Sequence, residues 1–155
     1  MVTIVECDFS KPSHCQALIT LMNDYMADEM GGNQPPYSNE KAAQVLQGLE
    51  KHPAKLVLLA QLDGIFVGLA NCFINFGTFA AKPFINIHDI VVLKEYRGKK
   101  IGQKLMEAIT ENAGKIGCAK ITLEVREDNV YAQKLYKKMG YKDGNPPMYF
   151  WTKHL

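Results

Sequence analysis

The segment from Asn86 to Gly102 constrains this chain more than any other stretch. It begins with branched residues, Ile87, Ile90, Val91 and Val92, which favour a buried pleated setting. It then crosses a short basic loop containing Gly98 and Gly102. From Ile101 onward, Ile101, Leu105, Ile109, Ala113 and Ile116 recur at helical spacing on one face. Strand, glycine-bearing turn and helix together present backbone N–H groups to an anion. The first helical turn has unpaired donors, and the helix dipole favours negative charge there. Lys94, Arg97, Lys99, Lys100 and Lys104 add positive charge around the same point. We therefore expect a phosphate site at the start of this helix.

Two common phosphate loops do not fit. The Walker loop requires Gly-x-x-x-x-Gly-Lys-Ser/Thr, and no stretch supplies it. The dinucleotide fingerprint requires three glycines at the helix opening, and only Gly98 and Gly102 are present. Arg97-Gly98-Lys99-Lys100-Ile101-Gly102 instead resembles the pyrophosphate loop of the GNAT superfamily of N-acetyltransferases, Arg/Gln-x-x-Gly-x-Gly/Ala after a strand. The preceding Glu95-Tyr96 is also typical. Lys100 stands where the family usually has glycine, which bears on how closely the backbone can approach a ligand. A second stretch, Asn129-x-x-Ala132-x-x-Leu135-Tyr136-x-x-x-Gly140-Tyr141, also resembles the family. Asn129 and Tyr136 lie about two helical turns apart and so share a face.

The resemblance implies roles. The loop residues Arg97, Gly98, Lys99, Lys100, Ile101, Gly102 and Gln103 would hold the diphosphate of acetyl-CoA, used as co-substrate. Ile90, Val91 and Val92 on the strand, with Asn129 and Ala132, would complete the cofactor site. Tyr136 would sit near the sulfur. An amine attacking the thioester must be neutral, so a base assists. A backbone N–H near Ile90 or Val91 would face the developing oxyanion. The leaving thiolate, with a thiol pKa of about 8.5, lies close enough to a phenol at about 10 for assisted transfer from Tyr136. His88 and Asp89 are the base candidates and, as strand neighbours, are expected on opposite faces. Polyamine acetyltransferases of the family carry a glutamate before an aspartate here, and His88 falls at the glutamate position. Histidine also titrates near neutral pH. The alternatives are a structural histidine at His88, a packed core tyrosine at Tyr136, and water-mediated proton removal.

Composition limits the other classes. The 155 residues suit one domain spanning 1–155. A chain of this size buries about 70 % of its unfolded surface, so a core forms without staples. Apolar residues make up 47 % and charged residues 22 %, as in ordinary globular chains. The net charge of +2 argues against nucleic acid as a partner, although Lys99, Lys100, Lys134, Lys137 and Lys138 form a basic set. The apolar runs are too short for a membrane span, and the first residues lack a signal peptide's pattern. Cys7, Cys15, Cys72 and Cys118 form no Cys-x-x-Cys pair, so free thiols and a cytoplasmic setting are expected. His14, His52, His88 and His154 lack metal-ligand spacing, so no metal is expected.

The remaining elements follow from local signals. Val2–Cys7 reads as a strand, and Ser10 as the cap of a helix running to Met26. Asn39 reads as the cap of a helix over Glu40–Lys51. Lys55–Gln61 and Ile65–Ile74 read as strands joined by an Asp63-Gly64 hairpin turn, with Phe76–Pro83 a loop. Lys120–Val125 reads as a strand and Asn129–Met139 as a helix closed by Gly140. Tyr141 and Met148–Thr152 read as late strands, with Trp151 packed in the last. This order resembles the GNAT fold, an α/β (α+β) architecture with a mixed central sheet of about six to seven strands flanked by about four helices. Asp24, Asp28 and Glu29 form a possible acidic rim for a cationic substrate, or simply an exposed helix end. The resulting expectation is an acetyl-CoA-dependent N-acetyltransferase acting on a primary amine of a small molecule or peptide, with a homodimer allowed. The alternative is a non-catalytic acyl-CoA-binding or protein-docking module of the same fold.

Overall fold

Branched and apolar runs form β1 (Val2–Glu6), β2 (Lys55–Leu62), β3 (Ile65–Gly77), β4 (Lys82–Val92) and β5 (Ile121–Leu123), which pair in that order into one five-stranded sheet. The first four strands are antiparallel, and β5 joins β4 in parallel. Asp63 (φ 49°) and Gly64 (φ 86°) both take positive φ between β2 and β3, as a tight hairpin whose twist matches the strands requires. The expected loop at 76–83 shrinks to residues 78–81, because the β3–β4 ladder continues to Gly77 opposite Lys82. This computed structural model describes residues 1–155, which form two compact units, Met1–Glu124 and Val125–Leu155.

In the first unit, α1 (Pro12–Ala27), α2 (Asn39–Lys51) and α3 (Ile101–Ile116) accompany the sheet. Leu18, Leu21 and Met22 of α1 pack with Val57, Leu59, Leu69 and Val91. A side chain on Gly68 would meet Leu105 of α3 at 3.2 Å. Leu69 and Gly68 are strand neighbours, so α1 and α3 cover opposite faces of the sheet. On α3, Ile101, Leu105, Met106 and Ile109 are fully buried, each stabilising by roughly 1.5–3 kcal/mol. Ile116, read as part of that face, is 39 % exposed at the helix end.

Both expected caps move by one residue. The N-cap of α1 is Lys11, with Pro12 first in the helix. Ser10 instead turns back, and its N–H and hydroxyl both donate to Asp8 Oδ1 at 3.0 and 2.6 Å. Such a local side-chain turn competes with capping. Ser38 caps α2, accepting from the Lys41 N–H at 3.1 Å, so Asn39 is already helical.

The second unit contains α4 (Val130–Lys138), with Asn129 as its N-cap. Gly140 follows the helix at φ 90°, the left-handed position expected there, and the Tyr141 N–H donates to the Tyr136 carbonyl at 2.9 Å. The late strands do not form: residues 141–155 contain neither helix nor strand. Met148, Tyr149, Phe150 and Trp151 are all exposed, so Trp151 is not a packing residue here. Strand-forming composition does not make a strand without a ladder to join. The sheet therefore has five strands instead of six to seven. No helix is long and apolar enough to cross a membrane.

Candidate active site

The site begins at an irregularity in β4. Cys72 pairs with Ile87, and the next residue of β3, Asn71, pairs with Asp89, so His88 is left over as a bulge. A bulge bends the strand and re-aims its side chains. Asp89 Oδ2 accepts a hydrogen bond from Asn71 Nδ2 at 3.0 Å. The His88 ring meets Phe73 edge-on at 5.7 Å, and the Phe73 ring in turn lies 4.8 Å from that of His52. Asn71 and Phe73 sit two apart on β3 and share a face. His88 and Asp89 therefore reach the same side of the sheet, contrary to the opposite faces that strict alternation predicts. The extra residue is the physical reason.

The same strand has one open edge. Pairing between β4 and β5 stops at Ile87 opposite Leu123. From His88 to Val92 the strand is paired only on its β3 side, where Ile90, Val91 and Val92 face Ala70, Leu69 and Gly68. Alternate backbone N–H and C=O groups on this stretch point towards the open edge. Val91 is buried, whereas Ile90 and Val92 are partly covered.

The loop that follows is pinned by its arginine. Arg97 Nε donates to the Val92 carbonyl at 3.0 Å, and Nη2 lies 3.1 Å from Asp28 Oδ2. Asp28 also accepts from the Met30 N–H at 2.9 Å. That backbone bond, and then Arg97, hold its carboxyl below the usual carboxylate range. Asp24 moves the other way: burial pushes it up, and Arg97 only partly offsets this. The acidic rim is thus split, with Asp28 engaged by Arg97 and Glu29 exposed.

Gly98 and Lys100 both take left-handed backbone, φ 80° and 61°. Lys100 accordingly adopts the conformation glycine favours, at a cost of about 1 kcal/mol or more. It is the N-cap of α3 and makes no side-chain cap, so no such cap covers the first-turn amides at Ile101, Gly102 and Gln103. The Gln103 side chain donates to Glu107 at 2.8 Å, and Lys99 Nζ lies 5.0 Å from the centre of the Tyr96 ring.

In the second unit, the Asn129 side chain accepts from the Ala132 N–H at 3.1 Å, fixing the start of α4. Tyr136 is buried, its ring 6.1 Å from that of Tyr141.

Two residues near Asp89 escaped the sequence reading. Asn71 is 3 % exposed, and its Nδ2 also lies 3.4 Å from Met22 Sδ. A polar residue inside the apolar run Val67–Cys72 was the available signal. Tyr37 is half-buried, with its N–H donating to Asn23 Oδ1 at 2.9 Å. Burial raises the Tyr37 phenol, and the charge of Asp89 adds to the rise. Burial likewise pushes the Cys72 thiol up to about 12, with Asp89 contributing.

Comparison with known proteins bears on the fold that carries these residues. Residues 18–141 match the sequence profile of the Acetyltransferase (GNAT) family. Thialysine N-epsilon-acetyltransferase of Bos taurus is 35 % identical over 142 residues, covering 86 % of this chain and 82 % of that protein. An uncharacterized N-acetyltransferase, YhfO of Bacillus subtilis (strain 168), is 27 % identical over 139 residues, covering 86 % and 87 %. Among solved structures, AAC(6')-Iy in complex with a CoA bisubstrate analog superposes with a TM-score of 0.78 at 16 % identity, covering 100 % of this chain and 99 % of that one. That last likeness is one of fold.

Proposed function

The chain belongs to the GNAT acetyltransferase family, and on that premise we propose that it transfers an acetyl group from acetyl-CoA to a primary amine of a small molecule or peptide by direct attack. The observation that carries this reading is the sequence of features along β4: an ionisable bulge, an open backbone edge, and a pinned loop opening α3 without a side-chain cap. The relative named for a thialysine Nε-amine supports an amine acceptor.

The chemistry divides among these parts. The loop amides from Gly98 to Gln103 hold the diphosphate at the positive end of α3. Arg97 contributes by fixing the loop to Val92 and Asp28. Asn129 and Ala132 complete the cofactor contacts, a role that rests on the family pattern. The N–C bond forms as the amine attacks the thioester carbon, and the C–S bond then breaks. Asp89 and His88, side by side on one face, attract the amine and take its proton. An N–H on the open edge at Ile90–Val92 faces the oxyanion. Tyr136 returns a proton to the leaving thiolate, again on the strength of the family pattern.

The test has two stages. Acetyl-CoA at about 100 times its dissociation constant should stabilise the fold by about 2.7 kcal/mol, read as a rise in melting temperature. A panel of primary amines should then release free coenzyme A. An unmoved melting temperature at millimolar cofactor would defeat the proposal. Binding without thiol release across the panel would favour a non-catalytic acyl-CoA module.

A further inference from the structure

Asn71 has no role in the family motifs, yet it is the one buried polar side chain at the centre of β3. Its amide nitrogen has two protons, and both are engaged. One goes to Asp89 Oδ2 at 3.0 Å, the other towards Met22 Sδ at 3.4 Å. Its Oδ1 is buried without a partner. An orphaned buried acceptor costs roughly 1–3 kcal/mol, so something must hold the amide this way round. A carboxylate at Asp89 does so, because the reverse orientation would set two oxygens against each other. The Asn71 amide and the Asp89 carboxylate thus fix each other's orientation.

We propose that Asn71 is a positioning residue for Asp89, and that the oriented carboxylate forms a subsite receiving the acceptor amine as its ammonium ion. With Oδ2 engaged by Asn71, the second carboxylate oxygen is left for the ligand. Tyr37 and Cys72 lie near enough to this carboxylate for its charge to raise both groups. Neither supplies a positive charge, and no lysine or arginine bonds to it. A negative group without a cationic partner inside the protein suits a cationic ligand. The inference rests on the acetyl-transfer reading for its ligand class, but it concerns binding and is tested by binding.

Calorimetry of butylamine, charged at neutral pH, and aniline, neutral there, into the coenzyme A-loaded protein tests it. Asn71→Leu keeps the branched shape and removes the donor; Asn71→Ala removes it without crowding, should the leucine variant fold poorly. Each should weaken butylamine binding about tenfold or more, with a smaller loss for aniline. Asp89→Asn should do the same, and the double variant Asn71→Leu/Asp89→Asn should be no weaker than Asp89→Asn alone, because the two act as one unit. Butylamine binding within twofold of the parent in both Asn71 variants would overturn the proposal. So would losses that multiply in the double variant, or a parent protein that binds no butylamine. If the parent binds butylamine and the Asn71 variants do not, but no coenzyme A is released from acetyl-CoA, the transfer reading fails and the subsite stands. If transfer occurs and both Asn71 variants bind like the parent, the subsite fails and the transfer reading stands.

Discussion

Arg97 Nη2 lies 3.1 Å from Asp28 Oδ2, joining the loop after β4 to the end of α1 across 69 residues of chain. The pair is partly covered, with side-chain exposures of 38 % and 22 %, and Asp28 is also fixed by the Met30 N–H. Replacing Asp28 by Asn should cost about 1 kcal/mol near neutral pH. The sign against pH follows from the carboxyl being held below its ordinary value of 3.8. The stabilisation is fully present above that value and is lost as pH falls through the lower folded one. The gap in melting temperature between parent and Asp28→Asn should therefore close below about pH 4.

Asp24, one turn earlier on α1, should behave in the opposite sense. Burial raises its carboxyl above 3.8. The folded state therefore disfavours its charge at neutral pH, and the penalty disappears once both states are protonated. Asp24→Asn should raise the melting temperature at pH 7 and match the parent in acid. Thermal scans of both variants across the same buffers check the pair of predictions together.

Lys100 and Gly98 give a matched test of backbone conformation. Both are left-handed, but only one lacks a side chain. Lys100→Gly should recover about 1 kcal/mol of steric cost, partly offset by the greater freedom of glycine when unfolded. Gly98→Ala should lose about 1 kcal/mol, and purely through its φ, because a Cβ there would meet nothing within 4 Å. Urea midpoints measure both changes.

Asn129 has a structural duty apart from any ligand. Its oxygen accepts from the Ala132 N–H, so Asn129→Ala should destabilise by about 1 kcal/mol, and Asn129→Asp or Asn129→Ser should restore most of it. If the amide also holds the cofactor, the capping variants recover stability without recovering acetyl-CoA affinity. Denaturation and binding measured on the same three variants separate the two duties.

Tyr136→Phe tests the proton donor. Loss of an acid that acts on the leaving thiolate should lower kcat by about 10²-fold and leave acetyl-CoA binding nearly unchanged. Unchanged turnover would remove Tyr136 from the chemistry and leave it a packing residue, in keeping with its burial.

Much of this was legible in the sequence because it is written locally. The period of Ile101, Leu105 and Ile109 named α3 and its buried face. The Asp63-Gly64 pair named its hairpin, and Gly140 its left-handed cap. What escaped depends on residues far apart in the chain. No local signal announces that β4 carries an extra residue, because a bulge is defined only against the pairing strand. For the same reason His88 and Asp89 were placed on opposite faces, and the link between Asn71 and Asp89 was not seen. Ser10 shows the finer limit: it suits a cap, but the neighbouring Asp8 takes its hydrogen bonds instead. The segment from Met148 to Trp151 has strand composition, but composition cannot supply the neighbour that a strand needs.

The surplus residue at position 88 has a consequence for how such a chain can change over time. Two adjacent ionisable side chains can work side by side only while the count along this strand stays odd against its neighbour. Losing a neighbour such as Ile87 would leave both groups chemically intact, yet would send the imidazole and the carboxylate to different sides. The pairing of the two groups is thus encoded by length, and point substitution at either of them would leave that length untouched.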